Sequence, residues 1–245
     1  MNRSMAELSW PEIDAHLQAG RRTVVVAFGA TEQHGPHLPL ATDTLLGDEL
    51  ASRVADHLDA LIAPTVAIGC SSHHLAFAGT LSLTDETFRA VVRDLVDSLA
   101  RSGFARAVLL PSHGGNFAPL GSAVEALPEH PSMRVDALTD LSALIMLPLH
   151  GAEVEDIPLG EGGLHAGEWE TSLLLASHPQ TVHMDRAEPG FVGSPEDALG
   201  AVFDSGVDAI TANGVIGDPR RSDAQRGERY WDFITDTVLE RIGRD

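Results

Sequence analysis

The clearest pattern along the chain is an apolar stripe between Phe88 and Leu99. Phe88, Val91, Val92, Leu95, Val96 and Leu99 recur at i, i+3, i+4, i+7, i+8 and i+11, which is one face of an α-helix, and Gly103 stands where that helix should stop. Three short runs differ in kind. Thr23 to Ala27, Leu61 to Ile68 and Ala107 to Leu110 are continuously apolar and largely aliphatic or β-branched, as strands covered on both faces are. Ahead of them, Ser9-Trp10-Pro11-Glu12 has capping-box spacing with proline in the first turn, and predicts a helix that ends at Gly20. Strands alternating with helices predict βαβ units, right-handed crossovers and a mostly parallel sheet with helices on both faces.

The second half is less periodic. Residues 138–166 mix short apolar pieces with Gly and Pro, and read as long loops around a site. Helices are expected from about Glu168 to Ser177 and from about Ser222 to Ile242, while the pattern assigns no later strands. Neither a linker nor a low-complexity run divides the 245 residues, and no internal repeat stands out, so one domain spanning 1–245 is expected.

Composition narrows the function classes. Asp plus Glu number 36 against 16 Arg, with no Lys, for a net charge of -20. Such a surface repels phosphate backbones, which argues against nucleic acid and anionic membranes as partners. One cysteine, Cys70, permits no intrachain disulfide and reads as a small buried residue. The start, Met1 to Met5, leads into a polar helix without an apolar signal core. The longest apolar stretch, Leu141 to Leu149, is about half of the ~20 residues that span a bilayer. A cytoplasmic location is expected.

Candidate chemistry falls in three places. After the first strand run comes Gly29-Ala30-Thr31-Glu32-Gln33-His34-Gly35-Pro36-His37-Leu38-Pro39-Leu40-Ala41-Thr42-Asp43. In an extended segment Glu32 and His34 point to the same side, giving half of a metal site, and Asp43 opens the next helix. After the third run comes Ser112-His113-Gly114-Gly115-Asn116, where open α/β sheets bind ligands; Gly114 and Gly115 let backbone N–H groups approach an anion or a developing oxyanion. The third is His165-Ala166-Gly167-Glu168-Trp169-Glu170-Thr171-Ser172, which puts His165 in a loop and Glu170 in a first helical turn. Each has an ordinary alternative: a loop histidine, a turn, or carboxylates that favour a helix N-terminus. Together they supply imidazole and carboxylate ligands suited to Zn²⁺ or Mn²⁺, with Fe²⁺ a further option, and too few thiolates for a zinc finger or an iron–sulfur cluster.

These three blocks, in this order, resemble the signature blocks of the creatininase family. Trp10-Pro11-Glu12 and the tail Gly214-Val215-Ile216-Gly217-Asp218-Pro219 are similar too, so the likeness covers nearly the whole chain. The resemblance implies a three-layer α/β/α fold, two divalent metal ions, hydrolysis of a C–N bond in a small-molecule amide, and a homo-oligomer, usually a hexamer. It implies that Glu32 and His113 bind one metal, that His34 binds the other, and that Asp43 bridges both. His165 corresponds to the proton-handling histidine and Glu170 to an acidic residue five places on.

Two departures bear on substrate. Gly114 and Gly115 stand where creatininases carry an aromatic residue and a metal-binding glutamate, which makes Glu170 the candidate replacement ligand. Glu161-Gly162-Gly163 stand where a tryptophan–aspartate pair closes over creatinine. The His-Gly-Gly-Asn form is closer to members that open formamidopyrimidine rings or trim the mycofactocin precursor peptide. In those members a glutamate usually precedes the histidine of the 71–80 segment; here that position is His73, and His74 is a candidate substrate contact. The expectation is an amidohydrolase acting on a C–N bond other than a peptide bond. The alternatives are a member acting on a short modified peptide and a non-catalytic, metal-stabilised binding or assembly subunit.

Overall fold

The computed structural model describes residues 3–128, 133–140 and 142–243; Met1, Asn2 and Leu141, which open the N-terminal segment and the apolar stretch noted above, lie outside the described residues. Four strands, β1 (Thr23–Phe28), β2 (Leu61–Ile62), β3 (Arg106–Pro111) and β4 (Arg134–Ala137), form one sheet of order β2-β1-β3-β4 in which every pair is parallel. The helices are α1 (Trp10–Gln18), α2 (Thr42–Leu58), α3 (Asp85–Ser102), α4 (Phe117–Glu125), α5 (Ala143–Val154), α6 (Leu159–Gly162), α7 (Glu168–Ser177), α8 (Pro195–Ser205) and α9 (Ala224–Ile242).

Alternation along the two central strands creates both layers. Val25, Ala27, Val108 and Leu110 face α2, α7 and α9, packing with Leu46, Leu50, Leu173 and Trp231. Val24, Val26, Phe28, Ala107 and Leu109 face α3 and α4, packing with Phe88, Val92, Val96 and Leu120. Strands buried on both faces need continuous apolar sequence, and β1 and β3 have it.

Right-handed crossovers explain where the helices go. From β1 the chain crosses through α2 to β2 on one side; from β3 it crosses through α4 to β4 on the other. Opposite directions with one handedness put α2 and α4 on opposite faces, and the cleft between the ends of β1 and β3 lies at the switch point. The first two chemistry-bearing blocks leave from those two strand ends, and the third leads into α7.

Two expectations need correction. The run Leu61 to Ile68 is a strand only at Leu61–Ile62. Beyond it, Ala63 N–H donates to Val25 O at 2.9 Å and Val66 N–H to Ala27 O at 3.0 Å, but Pro64 has no N–H and interrupts the ladder. As an edge strand, β2 tolerates that gap. Residues 138–166 are not long loops: they form α5 and α6. Pro148 lies inside α5, yet packing on α9 overrides it. Leu147 is buried, the His150 ring stacks on Phe233 at 4.0 Å, and a Cβ added to Gly151 would stand 2.7 Å from the Tyr230 hydroxyl. β4 and α8 were not anticipated. In β4 the residues Arg134 and Asp136 pair with one another and make the strand read as polar.

Candidate metal centre

Glu32, His34, Asp43, His113, His165 and Glu170 are brought together from five chain segments, each at most 8 % exposed. Three overlapping sets of donor atoms lie within 4.8 Å of one another: Glu32–His34–His165, Glu32–Asp43–His113 and His34–Asp43–Glu170. Asp43 joins the last two through different oxygens. Its Oδ2 lies 3.3 Å from His113 Nδ1, and its Oδ1 lies 3.4 Å from His34 Nε2. Glu32 Oε1 is 3.3 Å from His113 Nδ1, and Glu170 Oε1 is 3.8 Å from His34 Nε2.

Outer contacts fix which ring nitrogen faces inward. His113 Nε2–H donates to Cys70 O at 3.1 Å, and His34 Nδ1–H donates to Glu32 O at 3.2 Å. Each imidazole is left with its other lone pair aimed at the carboxylates, the orientation metal-binding histidines adopt. Both Glu32 oxygens, Asp43 Oδ2 and His34 Nε2 are buried without a hydrogen-bond partner. Buried acceptors of this kind are costly unless a positive group lies among them. The donor set fits one or more divalent cations: imidazole and carboxylate, no thiolate.

The electrostatics agree. Burial alone would depress His34 and His113. Asp43, with Glu170 for His34 and with Glu32 for His113, outweighs burial and holds both histidines well above the ordinary range. Burial would raise the Asp43 carboxyl, but His34 and His113 hold it far below the usual carboxylate range. The carboxylates therefore draw positive charge inward, which a divalent ion would supply while leaving both imidazoles neutral.

His165 differs. Burial, reinforced by the His34 charge, pushes it down to about 3, so its imidazole is neutral near pH 7. Its Nε2–H donates to Gln33 O at 2.7 Å, and Nδ1 faces Glu32 Oε1 at 3.9 Å. The loop carrying it pairs with the tail: Ile216 N–H donates to His165 O at 2.8 Å, and a Cβ at Gly163 would lie 1.9 Å from Ile216 O. Ala166, next along, is at φ +52°, a left-handed conformation that is strained for alanine and directs its N–H to Glu170 Oε2.

His74 is buried, with Nε2 3.2 Å from Glu32 Oε1 and Nδ1 2.9 Å from the Gln33 amide nitrogen. Gly114 lines the cavity above the cluster; Gly115 does not. A Cβ at Gly115 would lie 2.1 Å from Cys70 O and 2.6 Å from His113 Nε2, so this backbone has no room for a side chain there, a glutamate included. The first-turn acids of α7 split. Glu170 enters the cluster, while Glu168 accepts from Arg226 and Ser172 at 2.6 Å and from Tyr230 at 2.9 Å.

Sequence reasoning passed over three contributors. The Gln33 amide donates to His74 Nδ1 and to Gly214 O at 3.2 Å, and its oxygen accepts from Gly35 N–H at 2.9 Å. Asn116 accepts from Cys70 N–H at 3.0 Å and donates to Phe28 O and Gly29 O at 2.9 and 3.0 Å, tying the ends of β1 and β3 to the loop at residue 70. Their signal was position alone: Gln33 lies between two candidate ligands, and Asn116 closes the glycine pair. The third is α8, whose Leu199, Val202 and Phe203 wall the cavity.

Against known proteins, the creatinine amidohydrolase (creatininase) family model matches residues 6–242. A mycofactocin precursor peptide peptidase of Mycobacterium ulcerans (strain Agy99) is 32 % identical over 233 residues, covering 91 % of this chain and 85 % of that one. A creatinine amidohydrolase of Pseudomonas putida is 30 % identical over 254 residues, covering 97 % and 95 %. Among solved structures, a manganese creatininase superposes with a TM-score of 0.82 at 26 % identity, covering 99 % of each chain. The chain belongs to the creatininase family.

Proposed function

We propose that this creatininase-family hydrolase cleaves an amide or formamide C–N bond with water, and that two divalent cations, Zn²⁺ or Mn²⁺ by donor chemistry, are held around Asp43. The carrying observation is the division of Asp43: one oxygen faces Glu32 and His113, the other faces His34 and Glu170, and the inward donors lack partners of their own. Glu32 and His113 then serve one cation and His34 and Glu170 the other, with Asp43 between them. Bound there, divalent ions supply Lewis acidity and a water acidified towards neutrality.

The chain's own residues do the rest. Neutral His165, with Nε2–H held by Gln33 O, keeps Nδ1 available to take a proton from the attacking water and deliver it to the departing nitrogen, which is too poor a leaving group without it. Water oxygen bonds to the carbonyl carbon as the C–N bond breaks, giving a carboxylic acid and an amine. Gly114 and His74 line the cavity, where a developing oxyanion needs donors. The net charge of -20 supports a substrate other than nucleic acid or an anionic membrane, and among the described residues no helix is long and apolar enough to cross a membrane. The single cysteine fits a reducing cytoplasm. Trp10, 80 % exposed, is the kind of side chain a homo-oligomer contact covers.

His165→Ala tests the assignment. Metal content and melting temperature should be kept while turnover falls by about 10²–10⁴-fold, with a much smaller loss on amides whose leaving group needs no proton. Loss of metal would make His165 a ligand, full retention of turnover would remove the proton carrier, and a metal-loaded wild type that turns over no amide would favour a binding subunit. Creatinine should be a poor substrate, because Gly114 and Gly115 stand where creatininases carry the aromatic residue and the glutamate, and the backbone at Gly115 has no room for a side chain. Turnover at or above roughly 10 s⁻¹, typical of a dedicated enzyme, would contradict this. Action on a peptide amide is the second reading, favoured by the peptidase name of the 32 % identical relative.

A further inference from the structure

One residue decides where two histidines beside the cluster carry their protons. Gln33 is buried and locked by its neighbours: its side-chain oxygen accepts from Gly35 N–H at 2.9 Å, and its amide nitrogen donates to Gly214 O at 3.2 Å. These contacts settle which end of the amide is oxygen and which is nitrogen, since the reverse would set N–H against N–H and oxygen against oxygen. Space is tight as well, because a Cβ at Gly214 would lie 1.9 Å from Gln33 Oε1.

The amide nitrogen also lies 2.9 Å from His74 Nδ1. An amide nitrogen only donates, so Nδ1 accepts and the His74 proton sits on Nε2. The Gln33 backbone acts on the other ring. Its carbonyl oxygen only accepts, so His165 Nε2, 2.7 Å away, carries the proton, and Nδ1 keeps a lone pair. The amide nitrogen comes within 3.0 Å of His165 Nε2, two donors side by side, each with an acceptor of its own.

The two rings, 4.5 Å apart, thus share one tautomer but turn opposite edges towards Glu32 Oε1. His74 presents Nε2–H at 3.2 Å, without a hydrogen bond to that oxygen, and His165 presents bare Nδ1 at 3.9 Å. Both rings line the cavity. Amide hydrolysis needs one edge of each kind, an acceptor for the proton of the attacking water and a donor for the oxyanion.

We infer that Gln33 is a positioning residue that sets this polarity, making His74 the hydrogen-bond donor to the oxyanion and His165 the acceptor. The donor role rests on the hydrolase reading; the placement of the protons does not.

Long-range ¹H–¹⁵N spectra of the zinc-loaded protein with ¹⁵N-labelled histidine read that placement, with the rings assigned through His74→Asn and His165→Asn. Wild type should carry the proton on Nε2 of both. Gln33→Glu keeps an acceptor for Gly35 N–H but offers His74 no donor. The His74 proton should therefore move to Nδ1, while that of His165, held by the backbone, stays; a general disturbance of the fold would change both. At saturating metal, kcat of Gln33→Glu should fall by about 10²–10³-fold, the usual loss for one oxyanion donor, with KM little changed. His74→Gln, whose amide nitrogen reaches the place of Nε2, should keep roughly tenfold more kcat than His74→Leu. A wild-type proton on Nδ1 of either ring, a Gln33→Glu spectrum in which His74 is unmoved or both rings change, or an unchanged kcat would each overturn the inference. If no amide is turned over, the hydrolase reading fails and the spectra alone decide whether Gln33 places the protons. If Gln33→Glu does not fold, the wild-type spectrum and the two His74 variants decide.

Discussion

Two buried carboxylates leave the first turn of α7 two residues apart and meet opposite surroundings. Glu168, fully buried, is surrounded by donors: Arg226, Ser172 and Tyr230 saturate it and anchor α7 to α9. Glu170, nearly as buried, turns one oxygen to the Ala166 N–H and the other towards His34 in a cluster where both Glu32 oxygens and Asp43 Oδ2 stand without hydrogen-bond donors of their own. Both environments obey one rule, that a buried charge needs a partner. In the first the chain supplies the cation; in the second it leaves the place for one from outside. Burial of a carboxylate therefore says little about function until its partners are counted.

The largest expected effect breaks the saturated side. Arg226→Met strands Glu168, and should lower unfolding free energy by about 3 kcal/mol or more in denaturant titrations, since removing one partner of a buried pair typically costs about 3–5 kcal/mol. A Glu168→Gln change in the same chain should recover much of it. Added metal should still stabilise Arg226→Met by the wild-type increment, because the two corners are separate; loss of that increment would join them.

The open side comes next. At metal concentrations about 100-fold above Kd, binding to the folded state alone adds about 2.7 kcal/mol, so wild-type melting temperature should rise with Mn²⁺ or Zn²⁺ and fall again with chelator. Asp43→Asn should abolish most of that response and lower bound metal at both sites by elemental analysis. A wild-type response in this variant would sink the shared-ligand role. Gln33→Leu should act more mildly, weakening metal affinity about 10–100-fold through His74, which loses the Gln33 amide and faces Glu32 Oε1.

The smallest effect concerns a carboxylate with a surface partner. Arg220 hydrogen-bonds Asp218 and lowers its carboxyl from the ordinary value. A depressed folded-state value contributes stability that is complete above the unfolded value of about 3.9 and is lost as pH falls below it. Arg220 is mostly exposed, so the contribution should stay under about 1 kcal/mol. Asp218→Asn should flatten the acid limb of the stability curve slightly, and an unchanged curve would show the pair contributes nothing.

Much of this was legible in the chain. The capping box at Ser9, the stripe of α3 and the apolar runs of β1 and β3 express local rules, and each forms where those rules put it. The three chemistry-bearing blocks could be read because strand ends and helix starts fix where Glu32, Asp43, His113 and Glu170 point. What escaped depended on distant partners. α5 forms despite Pro148 because α9 covers it; β4 forms because β3 offers an edge; and the different fates of Glu168 and Glu170 turn on Arg226, 58 residues away. Gly115 was read as a place for backbone to approach a ligand, whereas it makes room for Cys70 O.

The Asn116 clamp has a consequence for the order in which the molecule assembles. Its partners lie 46, 87 and 88 residues back along the chain, on a loop and at a strand end. These bonds close only after β1 and β3 have found their register, so they belong to the downhill side of the folding barrier. Asn116→Ala should then hasten unfolding while leaving the refolding rate almost untouched, a φ value near zero. Such a residue sets how long the finished site survives and has little say in how quickly it is reached.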